Sequence, residues 1–386
     1  MENIDKLEIK DLLNEEFDCE CGEKHSVYID KVIIGSGVID ELPHILSELG
    51  FENPFIVADK NTYEVAGNRV ERLLSVSDIK VKSLIYEREY NLVPNERALG
   101  EFILNYDRNT DVIISVGSGV ICDIGKYMSS SLGIPSIVIA TAPSMDGYAS
   151  DCSAFIIDDI KRSVPSLPPK VIIGDVDILK DAPMDMILSG LGDMLGKYSA
   201  LRDWELGNIV LGEYYCEVVS KLVRTSVDNC VSEIEGYKRR DDRAIEHLMK
   251  GLVLVGIAMS FVGNSRPASG AEHHISHLWE MMFLMEGRKA VFHGTKVGIG
   301  TILINRMAEE LVGVNLDFDE INEMAKCFDQ KKWHKDIKKL YKKAAPEIIS
   351  LNEIPYDSLI EERLDRLKRI EDNWNAIVKA ISESPK

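Results

Sequence analysis

Residues 110–150 read TDVIISVGSGVICDIGKYMSSSLGIPSIVIATAPSMDGYAS. From Asp111 to Val116 the run is apolar without alternation, the pattern of a strand covered on both faces by helices. Gly117-Ser118-Gly119 interrupts it, and a segment of helical length then leads to a second apolar strand, PSIVIA. Glycines in such a turn let a pyrophosphate approach the backbone and meet the positive end of the helix. The strict G-x-G-x-x-G fingerprint is not met, because Cys122 stands at the third glycine, and the acidic residue expected some twenty positions later is missing. The residues alone therefore leave two readings, a dinucleotide site of another lineage or only a tight turn. Ligands of open α/β sheets bind outside the carboxyl ends of the strands, which places the loop Thr141-Ala142-Pro143-Ser144-Met145-Asp146-Gly147 beside the glycine turn. Asp146-Gly147 is a good turn dipeptide on structural grounds alone. That reading leaves the hydroxyls of Thr141, Ser144 and Ser150 unaccounted for.

The same strand–turn–helix pattern recurs upstream. HSVYIDKVIIGSGVIDELPHILSELG gives a strand, a Gly35-Ser-Gly37 turn and a helix ending near Gly50. PFIVAD is a short buried strand ending in Asp59, which could accept hydrogen bonds from an adenosine ribose or cap the helix that follows. A helix near 65–75 and a strand, KVKSLIYE, come next. Beyond about Lys180 the period changes to that of helices. The spacing therefore predicts an α/β domain with a parallel, Rossmann-like sheet over 1–178 and an all-helical domain over 179–386. At 386 residues the chain is long enough for two such cores.

Composition narrows the classes. A net charge of −19 argues against a nucleic-acid partner, and no run of eighteen apolar residues predicts a membrane span. The acidic start, MENIDKLEIKDLLNEE, lacks the layout of a signal peptide, so the cytoplasm is the expected location. Seven scattered cysteines read as free thiols. Cys19-Glu-Cys21-Gly22 with His25 offers three donors and no second C-x-x-C, so a tight turn between two short strands is preferred there to a zinc knuckle.

The chemistry concentrates in residues 269–294, SGAEHHISHLWEMMFLMEGRKAVFHG, with four of the eight histidines. His273 and His277 share one helix face at four-residue spacing, and His293 follows in an F-H-G-T turn. Neutral imidazole is the commonest protein metal ligand; the competing reading is a helix with a few polar or core histidines. A carboxylate partner is available in GLGDMLGKY, where Asp193 stands four residues before Lys197. The pair could be a surface ion pair, but its surroundings are glycine-rich and apolar. Asp193, His273 and His293 would make a three-ligand site with an open position, as catalytic metals require.

Taken together, GSGVICDIGK, TAPSMDGYAS and SRPASGAEHHISH resemble the motifs of the dehydroquinate synthase-like, metal-dependent alcohol dehydrogenase superfamily. Within it the chain resembles the sn-glycerol-1-phosphate dehydrogenases, especially their bacterial branch, from about Val32 to Ile304. The resemblance implies Asp193, His273 and His293 as ligands of one divalent metal, zinc, nickel or iron. It implies His277 and Asp146 at the substrate, and Gly117, Ser118, Gly119, Val120 and Ile121 around the pyrophosphate of NAD(P)H. Asp59 would meet the adenosine ribose, with Thr141, Ala142, Pro143, Ser144 and Ser150 on the nicotinamide side. It further implies a small phosphorylated substrate, dihydroxyacetone phosphate or sn-glycerol 1-phosphate, and a homodimer; glycerol dehydrogenase is the alternative activity. Arg266, Lys197 and Lys296 are the cations near enough in sequence to hold the phosphate. His274 stands where the family has an apolar residue, which opens a second register for the helix.

Overall fold

The computed structural model describes residues 8–88, 92–158, 160–353 and 355–384; the first seven residues of the acidic leader lie outside them. In chain order the first part runs β1 (Glu16–Asp18), β2 (Lys24–Ser26), β3 (Lys31–Gly35), α1 (Leu42–Leu49), β4 (Pro54–Asp59), α2 (Asn68–Val76), β5 (Lys82–Tyr86), α3 (Glu96–Asn105), β6 (Val112–Gly117), α4 (Gly119–Leu132), β7 (Ser136–Ala140), β8 (Cys152–Ile157), β9 (Ile160–Pro165) and β10 (Val171–Asp175). Six of these strands form one parallel sheet in the order β3-β10-β7-β6-β4-β5. Alternation across each strand splits the apolar run between two cores. Phe55, Val57 and Ile113 pack with α3 and α4, whereas Ile56, Ala58, Val112, Ile114 and Val116 pack with α1 and α2. Both faces are thus covered, which is why these strands show no polar alternation in sequence.

Helices follow: α5 (Met184–Leu211), α6 (Glu217–Ser232), α7 (Asp242–Val262), α8 (Ala271–Met285) and α9 (His293–Val312), then shorter ones to Glu383. The fold is the one expected, an α/β sheet unit followed by helices. α7 is long and apolar enough to cross a membrane, but it lies in the core, with Leu248, Leu252, Val255 and Ala258 fully buried.

Three features depart from the sequence reading. β8 and β9 form an antiparallel hairpin outside the main sheet, in a stretch where no strand was expected. The leader packs on the helical part, since Leu12, Leu13, Val27 and Ile29 join the core built by α6 and α7. His293 does not sit in a turn; it opens α9, and the glycine-rich run after it is helical. Glycine is a poor helix former, but close packing against α5 overrides that preference. A Cβ on Gly294 would stand 1.8 Å from the Ser189 carbonyl oxygen.

Candidate active site

Three helices converge at the carboxyl ends of the strands. α5 carries Asp193, α8 carries His273 and α9 begins with His293. α5 is approached by backbone on two sides, by α9 at Ser189 and by the Pro143 carbonyl at Gly190, where a Cβ would stand 1.9 Å from that oxygen. The 141–147 loop and His293 are thereby brought against the turn of α5 that holds Asp193.

The donor atoms of Asp193, His273 and His293 lie within 4.8 Å of one another. His273 Nε2 is 3.6 Å from Asp193 Oδ1, and its Nδ1 is 2.7 Å from Glu272 Oε1. A carboxylate on one ring nitrogen orients the other toward a metal, as metal-binding histidines usually require. Nδ1 of His293 is buried without a hydrogen-bond partner among the described residues. His273 and His293 have ring centroids 5.1 Å apart, and His277 lies 6.1 and 6.0 Å from them. His274 is exposed, whereas His273 is buried.

Charges in the cluster are strongly biased. Burial opposes ionisation of Asp193, but Lys197 and the neighbouring imidazoles hold its carboxyl well below the usual range. Burial, then the Asp193 charge, pushes Asp146 up. Burial pushes His293 far down, and burial together with Lys161 pushes His277 down to about 3. Both rings are therefore neutral near pH 7, the form in which imidazole coordinates metals. For His273, burial works against the charged form, and contact with Asp193 and Glu272 outweighs it.

Lys197 is no surface partner. Its Nζ is fully buried, 2.7 Å from Asp193 Oδ1, 2.6 Å from Asp146 Oδ2 and 3.1 Å from the Ala268 carbonyl. The Asp146 amide also donates to Asp193 Oδ2 at 3.1 Å. With two carboxylates to neutralise, Lys197 has no charge left for a phosphate, and Arg266 is paired to Glu213. The other cations of the site are Lys161 on β9 and Lys296 on α9, which share Glu280 Oε2 at 2.7 and 3.1 Å. Sequence reasoning reached Lys296 but missed Lys161, Glu280 and Glu272. Only Glu272 left a signal, as the acidic residue directly before His273 in the motif.

At the carboxyl ends of β6 and β7 the Thr141 amide donates to the Gly117 carbonyl at 3.2 Å, so the loop does start beside the glycine turn. Ser118 makes no side-chain cap for α4, and the first helical bond of this turn runs from Cys122 to the Ser118 carbonyl. The amides of Gly119, Val120 and Ile121 are left as the unpaired N–H groups of a helix start. Ile121 directs its side chain into the core, so only its backbone can serve a ligand. Asp59 Oδ1 accepts from the amides of Asn61 and Thr62, the capping role that the sequence left open. The Ser150 hydroxyl is taken by Lys126, whose buried Nζ also donates to the carbonyls of Gly147, Ser150 and Cys152. The Ala142 carbonyl accepts from Tyr148, so Ala142 and Pro143 act as packing backbone here.

Residues 33–183 match the family of iron-containing alcohol dehydrogenases. Among curated proteins, the chain is 37% identical to glycerol-1-phosphate dehydrogenase (NAD(P)+) of Halalkalibacterium halodurans, over 75% of this chain and 73% of that one. It is 34% identical to the Bacillus subtilis enzyme of the same name, over 73% of each. The corresponding Pyrococcus furiosus enzyme is 35% identical, over 71% of this chain and 77% of that one. Among solved structures the fold is similar to a glycerol dehydrogenase from Schizosaccharomyces pombe, with a TM-score of 0.56, 18% identity and coverage of 92% and 90%. A probable glycerol dehydrogenase from Sinorhizobium meliloti 1021 gives 0.57, 16%, 92% and 98%.

Proposed function

The chain belongs to the glycerol-1-phosphate dehydrogenase family, and on that premise we propose that the Asp193–His273–His293 cluster is where it interconverts dihydroxyacetone phosphate and sn-glycerol 1-phosphate. The observation that carries the assignment is the convergence of those three donors with the 141–147 loop and the glycine turn. Asp193, His273 and His293 would hold one divalent ion, their carboxylate and imidazole donors suiting zinc, nickel or iron. The uncapped amides of Gly119, Val120 and Ile121, with Ser118, would hold the pyrophosphate of NAD(P)H at the positive end of α4. Asp59 would reach the ribose and Thr141 to Ser144 the nicotinamide side. The chemistry these groups supply when bound is polarisation of a carbonyl and delivery of a hydride.

The protein's own residues place the substrate. Lys197 fixes both Asp146 and Asp193 in one buried ionic group, so that Asp146 can present its remaining acceptor capacity to a substrate hydroxyl. His277 stays neutral and one helical turn from His273, which suits it to hold a hydroxyl or pass its proton rather than to carry charge. Lys161 and Lys296 share one carboxylate and retain the net positive charge that a phosphate needs. The parallel sheet unit and the helices after Lys180 would hold the substrate from two sides and so select one face of the ketone. Asp59 would repel a 2′-phosphate, which favours NAD or dual use.

The expected location is the cytoplasm and the expected assembly a homodimer. Exposed Ile299, Ile302, Leu303 and Met307 on α9 are a surface that pairing would cover, and sedimentation would decide it. The direct test of the reaction follows absorbance of the reduced nicotinamide with dihydroxyacetone phosphate, on chelated enzyme and on enzyme restored with Zn²⁺ or Ni²⁺. Metal-dependent oxidation that is absent with unphosphorylated dihydroxyacetone supports the reading. Turnover of the unphosphorylated ketone instead would identify a glycerol dehydrogenase.

A further inference from the structure

A second group of donors meets far from the histidine helix in sequence. Cys19, Cys21 and His25 come from the β1–β2 hairpin, and Cys216 joins them from the residue that caps α6. On the sequence alone the hairpin offered only three donors, and a tight turn explained them. The turn is indeed there, closed by bonds from Cys19 N to Glu23 O and from Gly22 N to Cys19 O. Gly22 occupies the left-handed region at φ 88°, where a side chain would be strained. The fold then adds a fourth donor, 191 residues beyond His25.

We propose that Cys19, Cys21, His25 and Cys216 form a structural zinc site, built from different residues than the Asp193–His273–His293 cluster. The spacing carries it. Around a tetrahedral zinc with Zn–S of about 2.3 Å and Zn–N of about 2.0–2.1 Å, two sulfurs stand about 3.8 Å apart and sulfur and nitrogen about 3.6 Å. Here Cys19 Sγ and Cys216 Sγ are 3.6 Å apart, Cys21 Sγ and His25 Nε2 3.5 Å, and Cys216 Sγ and His25 Nε2 3.4 Å. A disulfide would need about 2.05 Å between sulfurs.

The surroundings are those of a metal shell. Nδ1 of His25 is 2.8 Å from the Phe261 carbonyl, which sets the tautomer and turns the Nε2 lone pair toward the three sulfurs. The Val219 amide donates to Cys216 Sγ, and the Tyr214 hydroxyl lies 3.0 Å from Cys21 Sγ. His25 and Cys216 are buried, and His25 stacks on Phe261. Four protein donors close the shell and leave no position for a substrate, which marks a structural ion. Binding would displace the thiol protons to solvent. The ion would pin the leader hairpin to the start of α6 and, through His25 and Phe261, to the end of α7. From there the chain runs directly into the segment that opens α8 and bears His273.

The test uses the full-length protein purified under reducing conditions. After chelation strips the histidine site, about one equivalent of zinc per chain should remain, and a mercurial thiol reagent should release it. Cobalt substitution should give sulfur-to-cobalt charge-transfer absorption in the near ultraviolet, which the carboxylate–imidazole site cannot produce. That absorption should survive His273→Ala and lose intensity in Cys216→Ser, which removes one of the three thiolates. The wild-type readouts stand even should Cys216→Ser fail to fold. A reduced wild type with no thiol-released metal and no charge-transfer band would overturn the site, as would a Cys19–Cys216 disulfide forming without metal release. Neither readout depends on turnover, so failure here is distinct from failure of the proposed reaction.

Discussion

Glu272 Oε1 lies 2.7 Å from Nδ1 of His273, and the same carboxylate accepts from the Gly270 amide and the Ser199 hydroxyl. One buried side chain thus orients the His273 imidazole, a ligand in the proposed metal site, and secures the start of the helix that carries it. Glu272→Gln should leave the fold intact and lower metal affinity by about 10–100-fold, the usual effect of losing such a partner. Metal titration by calorimetry of the stripped protein checks this; unchanged affinity would remove Glu272 from the site.

Lys197 is the counter-charge for two buried carboxylates. Lys197→Met should destabilise the metal-free protein by about 3–5 kcal/mol, because Asp146 and Asp193 lose the buried ammonium that pairs with both. The deficit should shrink at acid pH, where the carboxyls protonate, and shrink again when a divalent ion restores the charge. Denaturant unfolding with and without Zn²⁺ would show it. A variant as stable as wild type at pH 8 would contradict the arrangement.

The contact of α9 with α5 depends on the missing side chain of Gly294. Gly294→Ala forces a methyl group to within 1.8 Å of the Ser189 carbonyl. Overpacking of this kind costs about 1–3 kcal/mol, and the shift should also move His293 away from Asp193. Both the unfolding midpoint and the metal affinity are expected to fall. A loss of stability alone would show that the helices yield elsewhere.

His277 offers a pH signature. Its folded pKa is about 3 against a free value of 6.5, so the unfolded chain takes up the proton first. The stability tied to the neutral ring is present above pH 6.5 and lost as pH falls toward 3. Melting temperatures of the metal-free protein should drop over that window, and less steeply in His277→Asn. In the loaded enzyme, His277→Ala should retain metal and lower kcat by about 10²–10⁴-fold; metal loss would make it a ligand.

What the sequence disclosed follows from the range of the interactions. The β6 strand and the helix after it were legible because burial on both faces leaves an unbroken apolar run and glycine marks the turn. His273, and its spacing to His277, were legible because one helix face is a local property. Asp193 came from context and from family resemblance, and its burial with Lys197 and Asp146 could not be read, since three segments must meet to create it. Cys216 left no trace at all: nothing local ties it to His25. The β8–β9 hairpin was missed because its strands pair with each other outside the main sheet and most of their residues are at best partly buried, and Lys161 was missed with it.

Lys126 joins α4 to the carbonyls of Gly147, Ser150 and Cys152 through a single buried ammonium. α4 begins at the glycine turn, and the 147–152 segment ends the loop that carries Asp146. One cation therefore ties α4 and the segment after Asp146 into a single mechanical part. A shift in one is carried to the other, so ligands bound at the two ends of this link would each alter the affinity for the other.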